Sequence, residues 1–571
     1  MEKIYTIGRV NGHKKSKCLS QYPTDDVGIH NKIKEDFSRN NIDKLVIYLP
    51  SELGKAITNL KIGFHIRLMP DILREKAFIP IIFVSEWPLR HYLKDCSPWS
   101  QIFTTGGCYF FNLEKMEREI DLVNGIEFKK EYYGSQFLDR IKIDLGEKYG
   151  RHSIANQWGA LRLDKISNLD VLKSEPNINN IQKTIYFKFL KSNTFSTFNP
   201  AYYNKKPENK ISRCNKNKKV CLIDDESHKG WGKVLTAIFK KWNIELSVIN
   251  VDQHIDNFES LNDNDIEKIK KNDIDLYLVD LRLNGVKEKD NTKPKKFSGA
   301  KILRKIKDLN PGNQVIVFTA SNKAWNMKKL LHAPFSSDGY YIKESPESNF
   351  SIHDSIANYD NFIETVDKCL SISFLKRIFR IHQEIKENIK KNESKYCGHY
   401  VNFYKRTLNN LDFAFNLLES SKEDVKYFNY SFLTYYQIIE DYTNKKENIH
   451  KSKENWIVKN KNSQNIIVID GEIKPKKWKL KFINRDNNNK FDYFIKDSEL
   501  NDHTVTTLAK VSFILCYKFD KGNECLKKWG QLNELRNRVS VHRGRKSDGI
   551  NIKENQLFDI LEYVKLFLTN S

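Results

Sequence analysis

Apolar and polar positions form blocks along the chain, and the type of block changes twice. Within residues 1–200, short apolar runs of strand type are separated by stretches with helical periodicity, such as 55–75. The apolar runs are LVIYL (45–49), IPIIFV (79–84) and CYFF (108–111). This pattern is typical of an α/β domain. The polar and basic stretch at 201–217 then predicts a linker.

The second block, 218–372, alternates strand and helix signals. Buried strands are predicted at Val220–Ile223, Leu246–Val251, Leu276–Leu283, Val315–Thr319 and Tyr340–Lys343. Helices are predicted at 231–243, 257–270, 299–308, 325–332 and 355–372. Because parallel strands need crossover connections, these repeats indicate a doubly wound (βα)5 domain with a parallel sheet.

The third block, 374–571, is dominated by helical periodicity. Helices are predicted at 374–391, 399–420, 424–443, 503–520, 524–541 and 555–568. The Lys/Asn-rich stretch 446–500, broken by Gly471 and Pro475, predicts loops or a small hairpin insertion. We therefore expect an all-α C-terminal domain in a multidomain chain.

The composition adds a strong positive charge to this plan. The 571 residues carry 96 Lys and Arg against 72 Asp and Glu, a net charge of +24. That charge favours a polyanion partner such as RNA, although a general Lys, Asn and Ile bias is the alternative. The nine cysteines include no Cys-x-x-Cys pair, which argues against a zinc site or a disulfide framework. Without an apolar leader or a run of about 18 apolar residues, we expect a cytoplasmic protein and no membrane partner.

Chemically special residues lie at the carboxyl ends of the predicted strands of the second block. The carboxyl ends of parallel strands meet at one edge of a sheet, so these residues are expected to lie close together. They are Asp224, Asp225, Asp280, Thr319 and Lys343. Three carboxylates in one pocket repel one another unless a cation lies among them, and oxygen ligands favour Mg²⁺. A carboxylate beside a cation, a lysine and a hydroxyl is equipped to attack a phosphoryl group.

These residues resemble the receiver domain of two-component response regulators over about 218–372. The resemblance implies that Asp280 is the phosphoacceptor and that Asp224, Asp225 and Asp280 hold Mg²⁺. It also implies that Thr319 senses the phosphoryl group, that Lys343 bridges to it, and that Tyr341 is the switch aromatic. The implied partner is a histidine kinase or another phosphodonor.

Two departures from the receiver pattern leave a second interpretation open. A charged insertion at 286–297 replaces the family's proline-containing turn, and Glu344 follows Lys343 where proline is usual. On this interpretation the fold is receiver-like and its acids are remnants.

The first block shows a weak sequence similarity to the second. The stretches 43–54 and 79–87 are similar to 274–285 and 315–325, with Tyr48 where Asp280 would lie. Residues 1–200 therefore hold either a degenerate receiver used for pairing or sensing, or an unrelated α/β layer. Downstream, the stretch 149–164 places His152, Asn156 and Trp158 on a helix, which we interpret as a polar patch inside the domain.

A basic motif ends the helix predicted at 524–541. Arg536, Asn537 and Arg538 are followed by His542 and Gly544. Histidine exchanges protons near neutral pH, and arginine holds a phosphate with two hydrogen bonds. These groups supply what RNA cleavage without a metal requires.

The motif resembles the Arg-x4–6-His motif of HEPN-domain ribonucleases, which are all-helical and commonly dimerise. The resemblance pairs Arg536 with His542, places polar Asn537 after the arginine, and gives Glu440 or Asp441 an orienting role. It implies an RNA substrate, a homodimer and no cofactor for cleavage. The alternative is that Arg538 and His542 only complement the carboxyl end of a helix that Gly544 stops.

Taken together, the sequence predicts a phosphorylation-regulated effector in which a receiver domain gates a HEPN-like ribonuclease. The resemblance suits bacterial stress responses or phage defence. The alternative is a non-catalytic signalling adaptor whose helical domain binds a protein or a nucleic acid.

Overall fold

The computed structural model describes most of the chain, in two compact units. The first unit comprises residues 1–266, 277–303 and 315–367, and the second comprises 267–276, 304–314 and 368–571. The described residues are 3–8, 16–120, 123, 128–143, 151–173, 175, 180–195, 210–212, 215–251, 257–271, 273–284, 296–320, 337–345, 350–391, 399–421, 424, 426–445, 448–452, 455–459, 465–469, 477–482, 491–496, 500–501, 504–539 and 551–569.

The N-terminal sheet has five parallel strands in the order β2-β1-β3-β4-β5. They are β1 (Ile4–Ile7), β2 (Ser16–Leu19), β3 (Lys44–Tyr48), β4 (Ile81–Ser85) and β5 (Cys108–Asn112). Alternate residues of β3 pack on opposite faces, with Leu45 and Ile47 in one core cluster and Val46 in another. Burial on both faces explains why these strands are continuous apolar runs.

Helices surround this sheet and continue beyond it. Those of at least seven residues are α1 (Asp26–Arg39), α2 (Leu53–Arg67), α3 (Leu89–Asp95), α4 (Arg151–Ile166) and α5 (Ile185–Phe195). Asp25 caps α1 by accepting a hydrogen bond from the backbone N–H of Gly28 at 2.9 Å, which supplies a partner to one free donor of the first turn. The predicted α/β character of the first block is thus present.

The central sheet repeats the strand order of the N-terminal one. Its strands are β6 (Lys219–Asp224), β7 (Glu245–Asn250), β8 (Leu276–Val279), β9 (Gln314–Thr319) and β10 (Gly339–Ile342). The order β7-β6-β8-β9-β10 places second, first, third, fourth and fifth strands side by side, as in the N-terminal sheet. Strands β6 and β7 pair in parallel, and so do strands β9 and β10.

The helices of the central domain follow its strands. They are α6 (Trp231–Lys240), α7 (Asp263–Lys270), α8 (Ser298–Leu309) and α9 (Ile352–Ser371). The helix predicted at 325–332 lies outside the described residues. Strand β8 ends at Val279 rather than at Leu283, because Asp280 turns the chain by accepting from the backbone N–H of Arg282 at 3.1 Å.

Gly299, the second residue of α8, allows this helix to start against Asp280. A Cβ atom there would lie 1.8 Å from the carbonyl oxygen of Asp280, an overlap that the backbone must relieve by shifting. We expect Gly299→Ala to cost ~1–3 kcal/mol of stability, as overpacking does. The matched control is Gly54→Ala at the second residue of α2, where no atom lies within 4 Å. Thermal unfolding should show a lower Tm for Gly299→Ala alone, and equal values for both variants would contradict the close packing.

The C-terminal region is helical with a β insertion. Its helices are α10 (Leu375–Lys391), α11 (His399–Ser420), α12 (Lys426–Thr443), α13 (Thr507–Phe513), α14 (Asn523–Val539) and α15 (Glu554–Thr569). A π-helical turn, Ile514–Lys518, extends α13. Their apolar faces share one core that includes Tyr435, Trp529 and Leu561. None of the described helices is long and apolar enough to cross a membrane.

Between α12 and α13 the β insertion is larger than the small hairpin predicted at 446–500, so the C-terminal region is helical but not all-α. The described residues of this segment form seven strands: β11 (Ile449–Ser452), β12 (Asn455–Lys459), β13 (Asn465–Ile469), β14 (Lys477–Phe482), β15 (Phe491–Lys496), β16 (Leu500–Asn501) and β17 (Thr504–Val505). They pair antiparallel in groups of three, two and two. In β14, lysines alternate with apolar residues (KWKLKF), a period of two that belongs to a strand and not to a helix.

Candidate functional site

The acidic residues of the central sheet lie together at its carboxyl edge. Lys343 Nζ donates to Asp224 Oδ2 at 2.6 Å and to Asp280 Oδ2 at 2.5 Å. All three side chains are almost completely buried. Burial opposes the charge on Lys343, but Asp224 and Asp280 outweigh it and raise the pKa of the lysine. The lysine is therefore a fixed positive charge between two carboxylates.

Asp225 completes a set of three carboxylates that could hold a metal ion. One carboxylate oxygen from each of Asp224, Asp225 and Asp280 lies within 4.8 Å of the other two. Asp225 Oδ1 is buried and has no hydrogen-bond partner among the described residues. Burial, together with Asp280, Asp224 and Glu226, raises the pKa of Asp225 to about 8. An unsatisfied buried oxygen in an excess of negative charge is what a bound cation would relieve.

Thr319 and Tyr341 lie on the strands beside this cluster. Thr319 is the buried last residue of β9, and it pairs in register with Ile342 of β10. Tyr341 is buried, with its ring stacked on Phe318 at 5.0 Å and tilted against Phe362 at 4.7 Å. The aromatic residue two positions before Lys343 is thus held inside the domain.

Helix α4 contributes two residues that sequence analysis did not assign to the site. Asn156 Oδ1 accepts from Lys343 Nζ at 3.3 Å, and Arg162 forms a 3.4 Å ion pair with Glu344. Sequence analysis places Asn156 in a polar patch inside its own domain, but its partners Lys343, Glu226 and Trp231 belong to the central domain. The contact joins residues 187 positions apart, which no local pattern indicates. The side chain of His152 is outside the described residues, and Trp158 packs on Phe187.

The corresponding edge of the N-terminal sheet lacks this chemistry. Gly8 follows β1 where Asp224 ends β6, and Tyr48 ends β3 where Asp280 follows β8. The two residues are in contact, since a Cβ atom on Gly8 would lie 3.1 Å from Tyr48 Cβ. The hydroxyl of Ser85, at the end of β4, donates to the carbonyl of Leu49 at 2.9 Å. Among the described residues, the cluster of three possible cation ligands lies at the central sheet and not at this edge.

Restoring one acid to this edge should not restore phosphorylation. We expect Tyr48→Asp, made in an Asp280→Asn background, to gain no phosphate from acetyl phosphate and Mg²⁺. The edge would still lack the acidic residue that ends β6, because Gly8 stands in its place, and the fifth strand ends in Asn112 rather than before a lysine. Intact mass spectrometry measures the outcome. A gain of one phosphate would show that the acidic pair and the lysine are dispensable.

In the C-terminal helices, Arg536 and Glu440 lie close together. Arg536 Nη2 is 3.5 Å from Glu440 Oε1, which also accepts from the Thr507 hydroxyl at 3.0 Å. The guanidinium group lies over the ring of Tyr436, 5.5 Å from its centroid. Asp441, the other candidate for the orienting role, instead accepts from Gln437 at 2.9 Å. The arginine is positioned by α12 and not only by its own helix.

The neighbouring residues of the motif have different environments. Arg538 is exposed and pairs with Glu534 on its own helix. Asn537 is exposed, and its Oδ1 accepts from Arg536 Nη1 at 3.2 Å. His542 and Gly544 lie outside the described residues. The pairing of Arg536 with His542 therefore stays a prediction, as does the alternative helix-end role of Arg538 and His542.

One comparison with known proteins bears on the N-terminal sheet. The family model of the inactive receiver domain matches residues 1–111. This match covers the N-terminal five-stranded parallel sheet and agrees with its lack of an acidic pair. It favours the degenerate-receiver interpretation of the first block over an unrelated α/β layer. A search of curated proteins found no match to the chain.

Proposed function

We propose that the protein is a phosphorylation-regulated effector in which the central domain is a phosphoacceptor receiver that controls RNA cleavage by the C-terminal helices. The observation that carries the first half is the contact of Lys343 with both Asp224 and Asp280 at the carboxyl edge of the central sheet. The shared strand order with a sheet that matches inactive receivers supports it.

Phosphorylation of Asp280 requires one group transfer. A carboxylate oxygen of Asp280 attacks the phosphorus of the donor, an O–P bond forms, and the bond to the donor's leaving group breaks with the electron pair going to that group. The anionic carboxylate needs no base. Lys343 offsets the added negative charge, because its ammonium group already touches Asp280.

Asp224, Asp225 and Asp280 would hold the divalent cation, for which Mg²⁺ suits an oxygen-only site. The cation, when bound, supplies further charge neutralisation to the phosphoryl oxygens. Thr319 and Tyr341 are the residues proposed to respond to the phosphoryl group, since Thr319 ends β9, the neighbour of β8, and Tyr341 lies on β10, the next strand along. A histidine kinase or a small acyl phosphate is the proposed donor.

For the N-terminal domain we propose a docking or sensing role without phosphorylation. Its sheet has the receiver order, and Gly8 and Tyr48 replace the acids. A fold that retains its core and loses its reactive edge remains suitable for binding another protein or the neighbouring domain.

The proposed output is RNA cleavage at Arg536 and His542. In this scheme His542 takes the proton of the ribose 2′-hydroxyl or returns one to the leaving 5′-oxygen, and Arg536 offsets the charge of the phosphorane. Glu440 orients Arg536, a role supported by the 3.5 Å separation of their charged groups. A second copy of the chain would contribute a second motif, and cleavage needs no cofactor.

Incubation of the protein with total RNA in the presence of EDTA, both untreated and after treatment with acetyl phosphate and Mg²⁺, separates the ribonuclease from the adaptor. The ribonuclease yields fragments that end in 2′,3′-cyclic phosphate, whereas an adaptor leaves the RNA intact. Binding of RNA without cleavage at any pH from 6 to 8 would favour the adaptor, whose positive charge of +24 explains the binding.

A further inference from the structure

One buried side chain of helix α4, that of Asn156, forms hydrogen bonds with Lys343 in the acidic pocket and with residues beside it. Asn156 accepts from Lys343 Nζ at 3.3 Å and from Trp231 Nε1 at 3.2 Å, and its Nδ2 donates to Glu226 Oε2 at 2.5 Å. Asn156 is completely buried. This segment lies between the N-terminal and central domains along the chain, and its residues and the acidic pocket belong to one compact unit.

The hydrogen bonds of Lys343 leave no donor for an incoming phosphoryl group. An ammonium group has three N–H donors. Two of them reach Asp224 and Asp280, and the third position is taken by Asn156. A phosphoryl oxygen on Asp280 that pairs with Lys343 must therefore displace either a carboxylate or Asn156, and Asn156 is the uncharged partner.

A second contact holds the same face of α4 in place. Arg162 lies 3.4 Å from Glu344, and its Nε donates to the hydroxyl of Ser355 at 3.1 Å. Ser355 in turn donates to Glu344 at 2.7 Å. Between Asn156 and Arg162, Gly159 allows a close approach, because a Cβ atom there would lie 2.6 Å from the carbonyl oxygen of Glu344. Three residues spaced by three positions thus form one packed face.

We propose that α4 is a lid on the acidic pocket that competes with the phosphoryl group for Lys343. Asn156 is the competing ligand, and the ion pair between Arg162 and Glu344 holds the lid closed. This inference rests on the proposed phosphoacceptor function of Asp280. The closed lid disfavours the phosphorylated state of Asp280, and by linkage phosphorylation disfavours the closed lid by the same free energy. Release of α4 is then the signal that the central domain passes to the rest of the chain.

The test compares the full-length protein with lid variants. We expect Asn156→Ala and Arg162→Ala to be phosphorylated by acetyl phosphate and Mg²⁺ at least tenfold faster than wild type, as followed by intact mass. The matched control is Lys165→Ala, on an exposed position of the same helix, which should react at the wild-type rate. The double variant Asn156→Ala/Asp280→Asn should gain no phosphate. Hydrogen exchange across residues 151–166 should rise in wild type on phosphorylation.

The outcomes separate the lid from the phosphoacceptor. If wild type takes up phosphate and neither lid variant is phosphorylated faster, the lid proposal is wrong and the phosphoacceptor proposal is supported. If no variant takes up phosphate, the proposal that Asp280 is a phosphoacceptor is wrong. Mn²⁺ titration of the same proteins then tests whether α4 covers the pocket. Tighter Mn²⁺ binding by Arg162→Ala, which lies outside the carboxylate cluster, supports a covered pocket. Equal Mn²⁺ affinity in wild type and both lid variants overturns it.

Discussion

His542→Ala is expected to abolish RNA cleavage and to leave the protein folded. Loss of a general acid–base group costs ~10²–10⁴ in rate. On the alternative interpretation, in which the histidine only complements a helix end, the same substitution removes at most ~1 kcal/mol of stability and leaves cleavage unchanged. The measurement is the rate of 2′,3′-cyclic phosphate formation in EDTA, together with the Tm. If His542→Ala cuts at the wild-type rate, the ribonuclease assignment is wrong and the adaptor takes its place.

The arginines provide a matched pair for the same assay. Arg536→Ala should reduce cleavage as strongly as the histidine variant, because α12 holds Arg536 through Glu440. Arg538→Ala removes an equal charge from the same helix turn, but its partner Glu534 lies on the same exposed surface. We therefore expect near-normal cleavage from Arg538→Ala. Glu440→Gln should lower kcat more than it raises KM, since the proposed role of Glu440 is to position Arg536.

Asp280→Asn is expected to eliminate uptake of phosphate by the whole protein. The substitution preserves shape but removes the nucleophilic carboxylate, and no other acid of the pocket touches Lys343 except Asp224 among the described residues. Wild type should gain one phosphate from acetyl phosphate and Mg²⁺ by intact mass, and Asp280→Asn none. Asp263→Asn, an exposed aspartate in the first turn of α7, is the control and should behave as wild type. Equal uptake by wild type and Asp280→Asn would place the acceptor elsewhere.

The strands of the central domain were predictable because each is a short apolar run bounded by polar residues. Every observed strand begins within one residue of its predicted start, from Lys219 for Val220 to Gly339 for Tyr340. In the N-terminal sheet, β1 and β2 were not predicted. Each has only four residues, and β2 is a partly exposed edge strand with two exposed positions, so its apolar signal is weak.

The acidic cluster followed from one rule of parallel sheets. Residues after successive strands converge at one edge, which brought Asp224, Asp280 and Lys343 into contact. The rule does not predict the position of Asn156, because α4 precedes the central domain along the chain. Only tertiary packing brings Asn156 to Lys343. The one local signal was Gly159, a small residue between Asn156 and Arg162 on one helix face, which marks a close approach.

The measurement that tests the central claim most directly is the rate of RNA cleavage by one preparation before and after treatment with acetyl phosphate and Mg²⁺. After removal of Mg²⁺ with EDTA, cleavage by wild type should differ between the two samples, and cleavage by Asp280→Asn should be the same in both. Identical rates in treated and untreated wild type, with phosphate present on Asp280 by mass, would contradict control of the helical domain by the receiver.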